Sequence, residues 1–312
     1  MAEAVEIEQM GEPPAFRVRK IDDPVVAAAL PVPQSGSSPG PGPVDVVLDL
    51  VAADVLPLDV QIAAGRFPPA RPAPLQPGVS AVARRRDTGE VVAVQGGHAG
   101  MGFARAGTFA STFVAPAETL LAIPKGLDHR LVAAGLGPAL TARLALCDIA
   151  CVEAGETVLV LGANGGVGRA CAQLARHLGA TVVTAARDGA DRTYDQLAGA
   201  GAHVIIDPVG GSILPAAILA GGSRCRHVFL GYSAGAAVEL RLPLLMINEH
   251  RLMGFNEYAH PHDKFMSAAW AAIEDIEHGI SVPVIAGVWP LAEAATAYAT
   301  VGTGSGRVLL VP

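Results

Sequence analysis

Thr157-Val158-Leu159-Val160-Leu161-Gly162-Ala163-Asn164-Gly165-Gly166-Val167-Gly168 is the stretch that decides the fold class of this chain. An apolar, β-branched run enters a glycine-rich turn, and a segment of good helix formers, roughly Gly166 to Leu178, follows at once. Glycines at 162, 165 and 168 leave no Cβ where the backbone must turn sharply, where a phosphate must approach, and where helix must pack close on strand. The helix start then offers unpaired amides and a positive dipole end to an anion. In a chain with 36 glycines this spacing can arise by chance. The strand before it, the helix after it and a second apolar strand, Thr181-Val182-Val183-Thr184-Ala185, favour a dinucleotide site over a purely structural βαβ turn.

The end of that second strand bears on the cofactor. An Asp or Glu about 20 residues beyond the glycines would accept bonds from the ribose hydroxyls and select NAD. Here the strand ends Ala185-Ala186-Arg187. A guanidinium suits a 2′-phosphate, and the missing carboxylate removes a repulsion, so NADPH is expected rather than NADH. The structural alternative for Arg187 is a surface charge pairing with Asp188 or Asp191; Arg192 is a second candidate for the phosphate.

With 312 residues, 51% apolar and only 16% charged, the chain can hold two domains with separate cores. A net charge of −7 with no Lys/Arg stripe argues against nucleic acid as a partner. The densest basic cluster, Arg84-Arg85-Arg86, reads as an exposed turn before Asp87-Thr88-Gly89. There is no uninterrupted apolar run of the roughly 18 residues that a membrane span needs, and Met1-Ala2-Glu3-Ala4-Val5-Glu6 is too acidic for a signal peptide. The expected location is the cytoplasm. Cysteines 147, 151, 171 and 225 have neither metal nor disulfide spacing, and those in apolar helical stretches read as small core residues.

Residues 1–135 are β-rich and irregular, with short apolar runs such as Val44 to Val51 broken by Pro and Gly. Residues 31–43, PVPQSGSSPGPGP, form a low-complexity stretch expected to be a loop without core-forming power. A helix from about Leu131 to Cys151 leads into the glycine-turn strand. Strands at Thr157 to Leu161, Thr181 to Ala185, His203 to Asp207, His227 to Gly231 and Arg251 to Phe255 then alternate with helices, which implies a parallel, doubly wound sheet. After an amphipathic helix around Lys264 to His278, the segments Val282 to Pro290 and Arg307 to Pro312 return to strand character and are expected to rejoin the first domain. The domains expected are therefore 1–135 with 261–312, and an inserted 136–260.

This order of signals resembles the medium-chain dehydrogenase/reductase superfamily, in its zinc-free quinone oxidoreductase and enoyl-reductase branch. The likeness runs through Leu56-Pro57-Leu58-Asp59, Gly65-Arg66-Phe67, Pro77-Gly78, Gly107-Thr108-Phe109-Ala110, Val114-Ala115-Pro116 and Leu140-Thr141-Ala142. It continues through the glycine turn, Ile206-Asp207-Pro208-Val209-Gly210-Gly211, Phe229-Leu230-Gly231 and Gly306-Arg307-Val308-Leu309. The resemblance implies an α/β architecture, a GroES-like β-barrel domain plus a Rossmann-type sheet, with reaction in a cleft beside the nicotinamide. It also implies no metal: where zinc-dependent relatives carry a His-Glu pair after Pro77-Gly78, this chain has Val79-Ser80, and His260-Pro261-His262-Asp263 stands alone beside proline.

Several departures from the family pattern matter. Leu56 replaces the asparagine that usually opens the Asn-x-x-Asp motif, Phe67 carries no phenol, and Gln61 can bond but cannot act as an acid. Protonation of a carbanion would then fall to water, to Tyr232 or Tyr258, or to the substrate. Between Arg187 and His203 there is room for little more than one helix, so one strand-helix unit is missing and the sheet is expected to have five strands.

By this resemblance Gly162, Ala163, Asn164, Gly165, Gly166 and Val167 would meet the pyrophosphate, Arg187 the 2′-phosphate, and Gly231, Tyr232 and Ser233 the ribose or nicotinamide. Asp59, Gln61, Tyr232 and Tyr258 are the catalytic candidates, and Leu56, Phe67 and Thr141 the pocket lining. Packing or surface placement is the competing role for each pocket residue, and for Asp59 an equal alternative is to accept from backbone amides in its loop. The function implied is zinc-independent, NADPH-dependent hydride transfer to a quinone, enone or related unsaturated carbonyl. A redox-neutral cyclase or isomerase on the same fold, and a non-catalytic NADPH-binding protein, are the competing classes. The apolar edge strand at 251–255 further implies a homodimer.

Overall fold

The computed structural model describes residues 1–24, 44–304 and 306–312, so the low-complexity stretch at 31–43 lies outside the described residues. Strands β1 (Ala2–Gln9) and β2 (Ala15–Ile21) form an antiparallel pair. In β3 (Asp45–Asp54), Val46, Leu48, Leu50 and Ala52 are buried while their neighbours from 45 to 51 are half-exposed, the period-two pattern of a sheet with one face on a core. The short α1 (Pro57–Ala63) starts with proline in its first turn, where no amide is needed. Strands β4 (Ser80–Arg85), β5 (Val91–Gln95), β6 (Thr112–Pro116) and β7 (Leu120–Ala122) extend the sheet by antiparallel pairing.

The chain then enters α2 (His129–Arg143), which continues as a six-residue π-helical turn, Leu144–Ile149. The helical run from His129 to Ile149 is long and apolar enough to cross a bilayer, with mean hydropathy 1.4, but 72% of that window is buried in the protein, as in a core helix. Next come β8 (Thr157–Leu161), α3 (Gly166–His177), β9 (Thr181–Ala185), β10 (Ala202–Asp207), α4 (Leu214–Ala220), β11 (Gly221–Phe229), α5 (Leu242–Ile247), β12 (Arg251–Gly254) and α6 (His262–Glu277). The chain closes with β13 (Ile285–Pro290), α7 (Ala294–Thr300) and β14 (Arg307–Val311).

Strands β8 to β12 form one parallel five-stranded sheet in the order β12-β11-β10-β8-β9. Its central strands are buried on both faces. Val158, Val160, Val204 and Ile206 meet residues of α2, the π turn and α3 in one core, whereas Leu159, Leu161 and Ile205 meet Ala217 and Ala220 of α4 in another. Continuous apolar runs such as TVLVL follow from that double coverage. The expected five strands are present, and β9 is an edge. Among residues 186–201 the regular structure is a single 3-10 turn, Tyr194–Gln196, where the six-stranded form of such a sheet has a further strand and helix.

The remaining strands make a second sheet, β13-β14-β3-β4-β5-β7, with β6 also paired to β3. The C-terminal β13 and β14 thus join strands from the first third of the chain.

Cα packing divides the molecule into residues 1–134 with 284–312, and residues 135–283. The sequence pattern ends the inserted domain at 260; α6 instead belongs with it. Two contacts account for this. A Cβ on Gly135 of α2 would stand 2.9 Å from Ile276 Cδ1, so the missing side chain admits α6, and Arg143 is paired in a two-pronged salt bridge with Asp275, which is 1% exposed. Cysteine placement also differs from expectation. Cys171 and Cys225 are buried, but Cys147 and Cys151 are exposed, because Leu144, Ala145 and Leu146 take the inward side of the π turn.

Candidate active site

In the 135–283 unit, the turn after β8 is built as the glycine spacing requires. Gly162 sits at φ +61°, a left-handed conformation that side chains rarely tolerate. Its carbonyl accepts from the Gly165 amide at 2.9 Å, closing the turn. Gly165 precedes α3 in extended conformation, with no side-chain cap and no acidic residue in the first turn, so the leading amides are left for an outside acceptor. The Asn164 side chain donates to the Asp188 carbonyl at 2.8 Å and thereby ties this turn to the loop carrying Arg187. Arg187 is exposed and has no ion pair among the described residues, since Asp191 is taken up by the Thr184 amide at 2.9 Å and hydroxyl at 2.8 Å. Arg192 is committed elsewhere, donating to the carbonyls of Gln196 at 2.8 Å and Ala198 at 3.2 Å.

The turns after β10 and β11 lie against each other at the same carboxyl edge of the sheet. Asp207 is fully buried; its Oδ1 accepts from the amides of Val209 and Gly210, both at 2.8 Å. Its Oδ2 lies 3.0 Å from Nε2 of His227, also fully buried, whose ring stacks on Phe229. A Cβ on Gly231 would stand 2.7 Å from the Pro208 carbonyl oxygen, so this crossing accepts only glycine without movement. Tyr232 follows with half of its surface exposed, and the Ser233 hydroxyl lies 3.5 Å from the Pro208 carbonyl.

Just beyond β12, Glu257 and Tyr258 occupy a 3-10 turn whose preceding Asn256 accepts from the Tyr258 amide at 3.1 Å. The Thr141 hydroxyl of α2 donates to Glu257 Oε2 at 3.0 Å. Glu257 is half-buried as a residue, but its carboxyl end is desolvated; this pushes its pKa above the ordinary range, against hydrogen bonds from Thr141 and Tyr258. The Tyr258 ring faces Phe265 of α6 at 6.2 Å. Thr141 and Tyr258, expected separately as lining and acid, are thus brought together on a third group.

The candidates in the other unit are occupied within it. Asp59 is fully buried; its Oδ2 accepts from the Leu56 amide at 2.8 Å and its Oδ1 from the Gly78 amide at 3.2 Å, so it holds its own loop. Burial pushes its pKa up to about 7, with neighbouring Asp54 adding to the rise and the amides opposing it. Asp54, itself raised to about 6 by burial, is paired with Arg307, whose Nε lies 3.1 Å from Oδ2. The Gln61 side-chain oxygen accepts from Arg66 Nε at 2.9 Å, and Phe67 packs edge-on against Phe103 with ring centroids 5.4 Å apart.

No family model matches the chain. The quinone oxidoreductase of Sus scrofa is 29% identical over 315 residues, covering 91% of this chain and 92% of that protein. The quinone oxidoreductase of Pongo abelii is 30% identical over 224 residues, covering 64% of this chain and 67% of its own length. The chain belongs to the quinone oxidoreductases of the medium-chain dehydrogenase/reductase superfamily. The fold agrees: the quinone oxidoreductase of Thermus thermophilus, described with its NADPH complex, superposes with a TM-score of 0.80 at 22% identity, covering 99% of this chain and 100% of that one.

Among the described residues no group of three or more His, Cys, Asp or Glu could hold an ion. His260 Nδ1 lies 3.1 Å from Asp148 in an ordinary side-chain pair. Three residues near these turns are not singled out by the sequence pattern. Tyr194, in the shortened segment after β9, is hydrogen-bonded to the Gly162 backbone and lies near Arg187; its place in a stretch without regular periodicity gives no signal. His227 and Glu257 are a lone histidine in a strand and a lone glutamate in a loop, and their partners lie 20 and 116 positions away.

Proposed function

We propose that this quinone oxidoreductase is a zinc-independent, NADPH-dependent reductase that passes hydride to a quinone, an enone or a related unsaturated carbonyl compound. The observation that carries this reading is the turn at 162–168. A Cβ on Gly168 would lie 2.3 Å from the Gly162 carbonyl oxygen, and the bare start of α3 leaves amides open where a pyrophosphate fits. Gly162, Ala163, Asn164, Gly165, Gly166 and Val167 hold the pyrophosphate. Arg187, without an ion pair among the described residues, binds the 2′-phosphate, and Gly231, Tyr232 and Ser233 meet the ribose and nicotinamide.

The bound dihydronicotinamide supplies the hydride. The protein's part is to fix the reacting groups, exclude water and supply a proton. Exposed thiols at Cys147 and Cys151 suit the reducing cytoplasm, where we place the enzyme.

We also infer a homodimer. The outer edge of β12 has no partner strand among the described residues, and α5 beside it has no buried residue, with Leu242, Met246 and Ile247 exposed by 65%, 74% and 78%. An apolar edge of this kind is covered in a stable assembly.

The absence of a strand beyond β9 among the described residues supports a second reading, a redox-neutral cyclisation or isomerisation with weakened cofactor use. Titrating the protein with NADPH and following nicotinamide fluorescence, then adding quinones and enones, separates the two. Saturable binding with NADPH consumption supports the reductase. Absence of binding supports the redox-neutral enzyme, and binding without consumption on any acceptor supports a non-catalytic role.

A further inference from the structure

In the 1–134/284–312 unit the candidate proton donors are engaged or unable to act: Phe67 is packed on Phe103 and has no hydroxyl, Gln61 bonds Arg66, and Asp59 is held by two backbone amides. In the other unit a carboxyl group without an assigned role meets two hydroxyls. We propose that Glu257, held between Thr141 and Tyr258 at the carboxyl edge of the five-stranded sheet, is the proton reserve behind Tyr258 in the reduction of an enone.

The placement comes from topology. Glu257 follows β12 by three residues, on the edge where the turns after β8, β10 and β11 also emerge, and ligands of open parallel sheets bind at that edge. Thr141 stands in the last turn of α2, and its hydroxyl reaches the residue that follows β12 on this edge. The Thr141 hydroxyl, 3.0 Å from Oε2, anchors the carboxyl group, which is also hydrogen-bonded to the Tyr258 side chain. Among the described residues, burial and the hydrogen bonds from Thr141 and Tyr258 are what shift Glu257; His260, three residues on, is turned to Asp148, and from α6 Phe265 faces the tyrosine.

The chemistry balances. Hydride from the dihydronicotinamide adds to the β-carbon of the enone and leaves an enolate. The Tyr258 hydroxyl gives its proton to the enolate α-carbon, forming the C–H bond, and the phenolate oxygen takes the proton of Glu257. The carboxylate left behind recovers a proton from bulk solution, so that the net reaction takes up one hydride and one solvent proton. Desolvation, which raises the affinity of Glu257 for its proton, keeps this reserve filled at pH values where an exposed glutamate would be empty. When Glu257 is protonated, its O–H donates to the Tyr258 oxygen and frees the phenolic hydrogen for the substrate. Tyr258 is then the catalytic residue, and Glu257 and Thr141 position and recharge it.

This rests on the hydride-transfer reading above. The test compares the full-length protein with Glu257→Gln, Tyr258→Phe and Thr141→Val, using an enone and NADPH. Glutamine keeps the shape and the bond from Thr141 but has no proton to give. The expected result is that Glu257→Gln lowers kcat about 100-fold, leaves NADPH affinity by nicotinamide fluorescence within about threefold, and abolishes the fall of rate with rising pH. Tyr258→Phe is expected to match it, and Thr141→Val to shift the pH profile. With one hydrogen bond to the carboxylate gone, the charged form is held less well and the reserve empties at higher pH. Infrared difference spectra of the protein without cofactor, titrated from acid to neutral pH, should contain a carboxylic acid band that persists above the ordinary glutamate range and vanishes in Glu257→Gln.

Two results overturn the proposal. If wild-type and Glu257→Gln protein reduce the enone with one rate and one pH profile, Glu257 is not the reserve, and the reductase reading stands. If wild-type protein consumes no NADPH with any enone or quinone, the reductase reading falls and this proposal falls with it.

Discussion

The carbonyl oxygen of Gly162 and the α-carbon of Gly168 are so close that a Cβ on Gly168 would stand 2.3 Å from that oxygen. The contact is to backbone, which cannot rotate out of the way, so strand β8 and helix α3 meet at this distance only because residue 168 has no side chain.

Gly168→Ala should therefore move the start of α3 away from the turn. The expected effect is a stability loss of about 1–3 kcal/mol from overpacking, together with roughly tenfold or greater weakening of NADPH binding, as an anion site at a helix start loses its geometry. Thermal melts and nicotinamide fluorescence measure the two. Unchanged NADPH affinity would mean that the cradle plays no part in binding.

Arg187→Ala should discriminate between the two nicotinamide cofactors. A charge-assisted bond to a phosphate contributes about 1.5–3 kcal/mol, so NADPH should bind roughly 10- to 100-fold more weakly while NADH affinity stays within about twofold. Parallel loss for both cofactors would count against a 2′-phosphate contact.

Asp59 and Asp54 make the stability of the 1–134/284–312 unit depend on pH. Burial raises Asp59 to about 7 and Asp54 to about 6 in the fold, above the ordinary value of 3.8 for both. Over the interval between these values the native state binds more protons than the unfolded one, so stability is greatest below about pH 4 for this contribution and is lost as pH rises through 6 and 7. The midpoint of urea unfolding should fall between about pH 5 and pH 8, and Asp59→Asn should flatten that slope while costing about 1–3 kcal/mol at low pH through a lost acceptor. A wild-type midpoint that is level over the interval would remove both carboxyls as the source.

Charge on the open edge should disrupt assembly. In the double variant Met246→Glu, Leu252→Lys both side chains are exposed in the isolated chain, Met246 by 74% and Leu252 by 36%, so folding is expected to survive. Sedimentation should give a dimer for the wild type and a 31.7 kDa monomer for the variant. A wild type that is monomeric at micromolar concentration would refute the dimer.

The β8-turn-α3-β9 unit is legible in the sequence because its signals are local. An apolar run, three glycines and a helix-forming segment lie within about 30 residues, and each acts on its own stretch of backbone. The five-strand count is legible too, since five short apolar runs alternate with helix-forming segments between Thr157 and Phe255. The membership of α6 is not. Its amphipathic pattern says that one face is buried but not against which unit, and the answer lies in Gly135 meeting Ile276 and Arg143 meeting Asp275, pairs that stand far apart in the chain.

The amino-acid sequence by itself determined the α/β class, the five-stranded sheet and the glycine turn, because strand, helix and turn propensities are properties of neighbours in the chain. Only the tertiary structure decided that Asp59 is held by two amides, that Asp207 is backed by His227, and that Glu257 lies between Thr141 and Tyr258. A carboxyl group has the same formula wherever it stands in a sequence; its desolvation and its partners, which set what it can do, exist only once distant segments have been packed around it.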